Sequence, residues 1–209
     1  MVAGLFGGAA EAAPPPGQVS FSSTPSLLPK FGPDIYDYVV RCNNGPVTVQ
    51  AHTSGGWEAA IGEHPFRSGE FSEVVPLGAG RAFTITVRDV GRTQAYRYYV
   101  RCLPNDFPTY TFTRYGPVSP KHFSVDPRAT SSSGQYAMIF DNHGVPVWWY
   151  HGPAYATRVL STGNVLWNNR GRWEVHRLNG SLIRALYGVG PGADSHDLQL
   201  LPGLSLIHI

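Results

Sequence analysis

The residues best suited to chemistry lie near the end of the chain, where His196 stands between Asp194 and Asp197. A neutral imidazole nitrogen is a competent nucleophile near pH 7. Asp197 either orients the ring through a hydrogen bond or caps the local turn. A His-Asp pair also serves as a structural tie between loops, and a metal site here lacks its remaining ligands. His196 and Asp197 are therefore either a functional pair or a structural tie, and we expect no metal.

The other histidines, and the aromatic and basic residues, give weaker indications of a functional role. His143 falls in a turn sequence and is expected to be solvated, while His176 lies in mid-strand and should face a neighbouring sheet or solvent. Three arginines either bind an anion or form a solvated rim: Arg158, Arg170 and Arg172. Four aromatic residues either stack on an aromatic ligand or pack in the core: Trp148, Trp149, Tyr150 and Trp167. The sequence contains no nucleophile elbow, phosphate-binding glycine loop or carboxylate-pair motif.

The two cysteines repeat one phrase, Val-Arg-Cys, at residues 40–42 and 100–102. Each cysteine ends a strand-like run, and an even count in an exported protein favours a disulfide, with buried free thiols as the alternative. Closing a loop of this length stabilises the fold by about 4 kcal/mol on chain-entropy grounds. Zinc is not expected, because paired ligand spacing is missing. We predict a bond between Cys42 and Cys102.

The elements that must position these residues are short strands. The 209 residues include 24 glycines and 18 prolines, 42% are hydrophobic and only 14% are charged. Turns and aromatic-rich strands accommodate this mix, whereas long helices do not. A net charge of +2 without a basic cluster gives no basis for nucleic-acid binding. There is also no apolar run of about 18 residues to span a membrane. The composition predicts an all-β protein.

The pattern along the chain divides it into four segments. Residues 1–18 resemble the rear of a secretory signal peptide, with a plain N-terminal arm as the alternative. Residues 19–125 alternate apolar and polar positions in short runs, which predicts an antiparallel β-sandwich. Residues 126–203 contain two hairpins, one of them closed by Asn179-Gly180. Residues 204–209 match one reading frame of a common sequencing adapter, so we expect no strand there and no role for His208.

The third segment contains a repeat. The phrase around Leu160 restarts at Leu201, a period of 41 residues. Repeats of about 40–45 residues with four strands each are typical of β-propeller blades. We therefore predict one full blade over residues 155–187 and the start of the next at His196. A propeller needs roughly four to eight blades to close, so residues 126–203 are expected to be the first blades of a truncated ring.

Four phrases carry a family resemblance: residues 37–42, 100–108, 139–150 and 194–202. Through them the chain resembles the secreted, actinobacterial-type arylsulfotransferase family. The resemblance implies a β-sandwich followed by a six-bladed propeller. It also implies transfer of a sulfuryl group from an aryl sulfate donor to a phenol acceptor through a transiently sulfated histidine. Neither a nucleotide sulfate donor nor a cofactor takes part.

The resemblance gives His196 a channel-lining role in binding the sulfuryl oxygens, with Asp197 orienting it. It places the nucleophile in a later blade beyond this chain, so that the fragment by itself is expected to be inactive. His151 is a weaker candidate for approach to the channel. The location is expected to be secreted or in the cell envelope. The alternative is a non-catalytic extracellular binding or adhesion protein on the same scaffold, because fold does not fix function.

Overall fold

A computed structural model describes residues 17–91, 94–116, 120–127, 135–187, 198–200 and 206–207. All regular structure within these residues is β-strand, which confirms the prediction of an all-β protein. The strands form several open sheets, and none of the sheets closes on itself. The described residues fall into two compact units, one of residues 17–115 with 143–145 and one of residues 116–142 with 146–207. No helix that could cross a membrane occurs in this part of the chain.

Seven strands build the first unit: β1 (Val19–Thr24), β2 (Asp37–Val40), β3 (Val47–Thr53), β4 (Trp57–Ile61), β5 (Gly69–Val75), β6 (Ala82–Asp89) and β7 (Ala95–Cys102). One sheet has the order β1-β3-β5 and is antiparallel. The other has the order β2-β7-β6-β4, in which β2 runs parallel to β7. Sequence analysis did not predict β1, which is serine-rich, or β4, whose Ala and Glu residues are weak strand formers.

Both sheets of the first unit contribute to one apolar core. In β3 the buried residues Val47, Val49 and Ala51 alternate with more exposed positions, as expected for a strand with one face on the core. The core also contains Tyr98, whose hydroxyl donates to the carbonyl oxygen of Pro33 at 3.1 Å. Burial raises the pKa of the Tyr98 phenol well above its ordinary value. Two sheets around one core are consistent with the predicted β-sandwich, whose expected range of 19–125 extends past this unit to His122–Val125, a strand of the second unit.

The predicted disulfide is confirmed. Cys42 and Cys102 are bonded with their Cα atoms 5.6 Å apart, inside the roughly 4.4–6.8 Å range of disulfides. The bond joins the ends of two neighbouring parallel strands, since Val40 lies beside Cys102 in the ladder. The chain after β7 is held nearby by Arg41, which donates to the carbonyl oxygens of Phe107 and Pro108. The disulfide and the hydrogen bonds of Arg41 thus hold the end of β7 and the segment after it close to the end of β2.

The second unit contains nine strands: β8 (His122–Val125), β9 (Tyr136–Asp141), β10 (Pro146–His151), β11 (Tyr155–Val159), β12 (Val165–Asn169), β13 (Arg172–His176), β14 (Leu182–Leu186), β15 (Gln199–Leu200) and β16 (Leu206–Ile207). They form a sheet of order β10-β9-β8, a four-stranded meander β11-β12-β13-β14, and the pair β15-β16. The meander covers residues 155–186, nearly the bounds expected for one repeat. Sequence analysis did not predict β8.

The last segment differs from expectation. We expected no strand in residues 204–209, yet Leu206 pairs with Leu200 and Ile207 with Gln199. Leu and Ile are apolar, and Ile is β-branched, so two such residues suit a short ladder whatever their origin. The expectation of no strand is therefore wrong for Leu206–Ile207. The adapter interpretation of the segment stays a prediction.

Candidate functional site

The predicted catalytic pair, His196 and Asp197, lies outside the described residues. The described chain resumes at Leu198, whose side chain is 2% exposed and packs with Leu166, Trp173 and Val175. Strand β15 begins at the following residue. Leu198 itself thus belongs to an apolar cluster on one face of the β11–β14 sheet.

The β11–β14 sheet has apolar residues packed against both of its faces. On one face Val165 and Trp167 join Ala137, Ile139, Val147, Trp148 and Ala154 in a cluster with the preceding sheet. On the other face Leu166 and Val175 join the cluster that contains Leu198. All of the residues from Val165 to Asn168 are therefore buried, because alternate side chains of β12 enter different clusters. The central strands β12 and β13 are thus largely buried, whereas the edge strands β11 and β14 keep exposed residues such as Val159 and Leu182.

The aromatic residues of this region pack against one another. Tyr150 stacks on Trp167 with ring centroids 4.7 Å apart, and His176 stacks on Trp167 at 3.8 Å. The indole Nε1 of Trp148 donates to the carbonyl oxygen of Leu178 at 2.6 Å. Core packing therefore accounts for these rings, which leaves ligand stacking unsupported. His151 is exposed and stacks on Tyr136 at 4.6 Å.

A buried polar network occupies the same face as Trp167. Glu174 is 2% exposed, and its Oε2 lies 3.0 Å from Nε2 of His176. Asn169 Nδ2 donates to the same oxygen at 3.1 Å, and Arg172 Nε donates to Oε1 at 2.6 Å. Burial alone would raise the pKa of the Glu174 carboxyl, but the hydrogen bonds from His176, Asn169 and Arg172 hold that pKa below its ordinary value. Glu174 is therefore a buried carboxylate.

The network bears on two residues for which sequence analysis left alternatives open. The ring of His176 is only 7% exposed and bonded at both nitrogens, so it does not face solvent. Arg172 pairs with Glu174 and is not a free anion-binding group. The signal that sequence reasoning missed is the spacing of Glu174 and His176, because residues two apart on a strand share a face. The ladder then sets Glu174 opposite Trp167 and His176 opposite Val165.

Two buried polar atoms in the meander have no hydrogen-bond partner within the described residues, Thr157 Oγ1 and Asn168 Nδ2. The backbone around Thr157 is otherwise well bonded, since its carbonyl oxygen accepts from Ser124 Oγ at 2.7 Å and its N–H donates to Asp126. Burial raises the pKa of the Asp126 carboxyl, and the N–H groups of Thr157 and Ala156 only partly offset that effect. Within the described part of the chain, the buried Thr157 hydroxyl therefore has no hydrogen bond to offset its loss of hydration.

The first unit carries a polar groove of about 530 Å³ across the outer face of the β1-β3-β5 sheet. Cross-strand pairing sets Ser20, His52 and Glu70 in one row. His52 Nδ1 lies 3.5 Å from Glu70 Oε1. In the neighbouring row, Ser22 Oγ donates to Gln50 Oε1 at 3.0 Å. The groove offers hydroxyl, amide, imidazole and carboxylate groups to a polar ligand.

Among the described residues, no group of three or more His, Cys, Asp or Glu side chains is arranged to hold a metal ion. The sequence-predicted site residues therefore fall into two sets: the disulfide pair, which the fold brings together, and the His196 pair, which lies beyond the described chain. Comparisons of the chain with protein-family models, with curated proteins and with solved structures found no match.

Proposed function

We propose that this chain is part of an extracytoplasmic aryl sulfotransferase whose second unit begins a β-propeller. The observation that carries the proposal is the β11–β14 meander, a four-stranded antiparallel sheet with apolar packing on both faces. Propeller blades are four-stranded sheets arranged radially around a channel. The 41-residue repeat in the sequence agrees with a further sheet that starts near Leu198. The disulfide agrees with an oxidising location.

In this proposal His196 lines the channel and donates a hydrogen bond to the oxygens of the sulfuryl group, while Asp197 orients its ring. Support comes from Leu198, two residues further on, which is fixed in the cluster with Leu166 and Trp173. The proposal needs an imidazole with little freedom to move, and Leu198 is the nearest buried residue of the described chain. Limited motion is what a donor to a developing charge requires, since preorganised donors lose little free energy in reorganising during the reaction.

The chemistry consists of two displacements at sulfur. In the first, a histidine nitrogen attacks the sulfur of an aryl sulfate, an N–S bond forms, and the S–O bond to the aryl group breaks to release a phenolate. In the second, the oxygen of the acceptor phenol attacks the same sulfur as its proton passes to a base, and the N–S bond breaks. Donors around the sulfuryl oxygens stabilise the charge in both steps. No nucleotide or redox cofactor is consumed.

The test is release of 4-nitrophenol from 4-nitrophenyl sulfate with phenol as acceptor. We expect no turnover by the 209-residue chain, because the channel needs side chains from several blades, and turnover by the product of the uninterrupted gene. In that product His196→Ala should reduce transfer by about 100-fold, the scale of losing one oxyanion donor. The matched control, His143→Ala, should leave the rate unchanged. Turnover by the 209-residue chain would contradict the proposal.

The second candidate function is a non-catalytic extracellular binding or adhesion protein. The observation that favours it is the polar groove of the first unit, which offers hydrogen-bonding groups on an exposed sheet face. The same assay separates the two candidates. A longer gene product that is folded by circular dichroism, but releases no 4-nitrophenol, would favour binding over catalysis.

A further inference from the structure

The ring of His176 has a hydrogen-bond acceptor at each nitrogen. Nδ1 lies 3.0 Å from the carbonyl oxygen of Gly180, and Nε2 lies 3.0 Å from Oε2 of Glu174. A carbonyl oxygen and an ionised carboxylate both accept hydrogen bonds and donate none. A neutral imidazole has a single N–H, so one of the two contacts would set a nitrogen lone pair against an oxygen lone pair. Both contacts are favourable only when the ring or the carboxyl carries an additional proton.

The partners of Glu174 decide where that proton lies. Arg172 Nε donates to Oε1 at 2.6 Å, and Asn169 Nδ2 donates to Oε2 at 3.1 Å. A guanidinium and an amide donor both favour the ionised carboxylate. The additional proton therefore belongs on His176, which makes the ring an imidazolium. Its parallel position 3.8 Å from Trp167 suits this charge, because cations are attracted to an indole face.

The same ring holds the turn between β13 and β14. Within that turn the Gly180 N–H donates to the carbonyl oxygen of Arg177, and the Arg177 N–H donates to that of Ser181, each at 2.9 Å. The bond from Nδ1 to Gly180 ties this turn back to the last residue of β13. Loss of that bond would leave the turn held by its internal bonds and by the bond from Trp148 to Leu178.

We propose that His176 is a protonation-dependent latch: the doubly protonated ring fastens the 177–181 turn to β13, and loss of the Nδ1 proton releases it. The carboxylate of Glu174 keeps the remaining proton on Nε2, so the proton that leaves is the one on Nδ1. Acid acts on the other contact. The depressed pKa of Glu174 means that the stabilisation from its contact with His176 is complete above the ordinary glutamate range and is lost as pH falls through the folded-state value, while the bond from Nδ1 to Gly180 remains.

The charged and titratable groups facing the latch within the described residues are few. Glu174 and Arg172 contribute from β13, and Tyr150 contributes from β10 through its stack on Trp167. Tyr187, directly after β14, contributes through its side-chain hydrogen bond with Arg172. From β12 the facing groups are Trp167 and Asn169, and from the turn they are the carbonyl oxygen of Gly180 and the side chain of Leu178.

The direct test is two-bond ¹H–¹⁵N NMR of the 209-residue chain labelled at histidine, at about pH 7. The signal of His176 is identified from its contacts with the Trp167 indole, so the assignment needs no variant. We expect both ring nitrogens to show protonated, N–H-type chemical shifts. An unprotonated nitrogen in this ring at that pH would overturn the proposal.

Amide exchange tests the release of the turn and supplies an internal control. The Gly180 amide closes the β13–β14 turn, and the Gly163 amide closes the β11–β12 turn with an equivalent 2.9 Å bond to Leu160. After correction for the intrinsic effect of pH, protection of Gly180 should fall about tenfold as the ring loses its proton, the scale of one lost hydrogen bond. Protection of Gly163 should stay constant. Equal changes at both amides, or no change at either, would contradict the latch.

Discussion

Replacement of Leu198 by alanine tests the anchor that precedes β15. The Leu198 side chain is 2% exposed and contacts Leu166, Trp173 and Val175. The substitution removes three carbon atoms, and at about 0.8 kcal/mol for each buried methylene the transfer contribution is about 2.4 kcal/mol. A cavity adds to this loss, because such sites collapse only in part. We therefore expect the free energy of unfolding of the second unit to fall by about 3 kcal/mol.

Urea unfolding followed by tryptophan fluorescence measures this effect. Four of the five tryptophans lie in the second unit, so the signal reports mainly on it. Leu182→Ala is the matched control, since Leu182 is 50% exposed on β14 and its loss should change the free energy of unfolding by less than about 0.5 kcal/mol. Equal effects of the two substitutions would refute the reasoning, because Leu198 would then not be seated in the core.

Three further predictions concern stability. Joint replacement of Cys42 and Cys102 by alanine should lower the free energy of unfolding of the first unit by about 4 kcal/mol, because the bond spans 60 residues; a loss under about 1 kcal/mol in denaturant titrations would contradict this. Thr157→Val should leave the melting temperature unchanged or raise it, since the buried hydroxyl has no partner within the described residues; a clear drop in calorimetry would mean that the hydroxyl is bonded. Glu174→Gln should make the free energy of unfolding less sensitive to acid. In the wild type the pKa of the Glu174 carboxyl is depressed, so its contribution to stability is complete above about pH 4.5 and is lost as pH falls through the folded-state value. Identical acid-unfolding curves for the two proteins would argue against the network.

Sequence patterns predicted the β13–β14 hairpin and the disulfide. Asn179-Gly180 predicted the β13–β14 hairpin, because positive φ is needed in such a turn and Gly180 adopts 84°. The repeated Val-Arg-Cys phrase predicted the disulfide. The strands β1 and β4 were missed because their Ser, Ala and Glu residues carry little β propensity, and their partners in the two sheets supply what the local sequence lacks.

The buried network around Glu174 could not be predicted from local sequence patterns. Sequence analysis left His176 facing either a neighbouring sheet or solvent, and it did not single out Glu174. Their burial follows from the pairing with β12 and from the layer of Trp148 and Tyr150 on that face. Polar residues become stable there because each finds a partner, a requirement that appears only when the strands are in register.

Whether His196 binds the sulfuryl group is decided by aryl sulfate transfer by the product of the uninterrupted gene, with the melting temperature recorded for each variant. The account predicts transfer from 4-nitrophenyl sulfate to phenol, and a loss of about 100-fold in His196→Ala with a melting temperature close to that of the wild type. Loss of activity in proportion to loss of thermal stability, in His196→Ala and His143→Ala alike, would contradict the assignment of His196 to the channel.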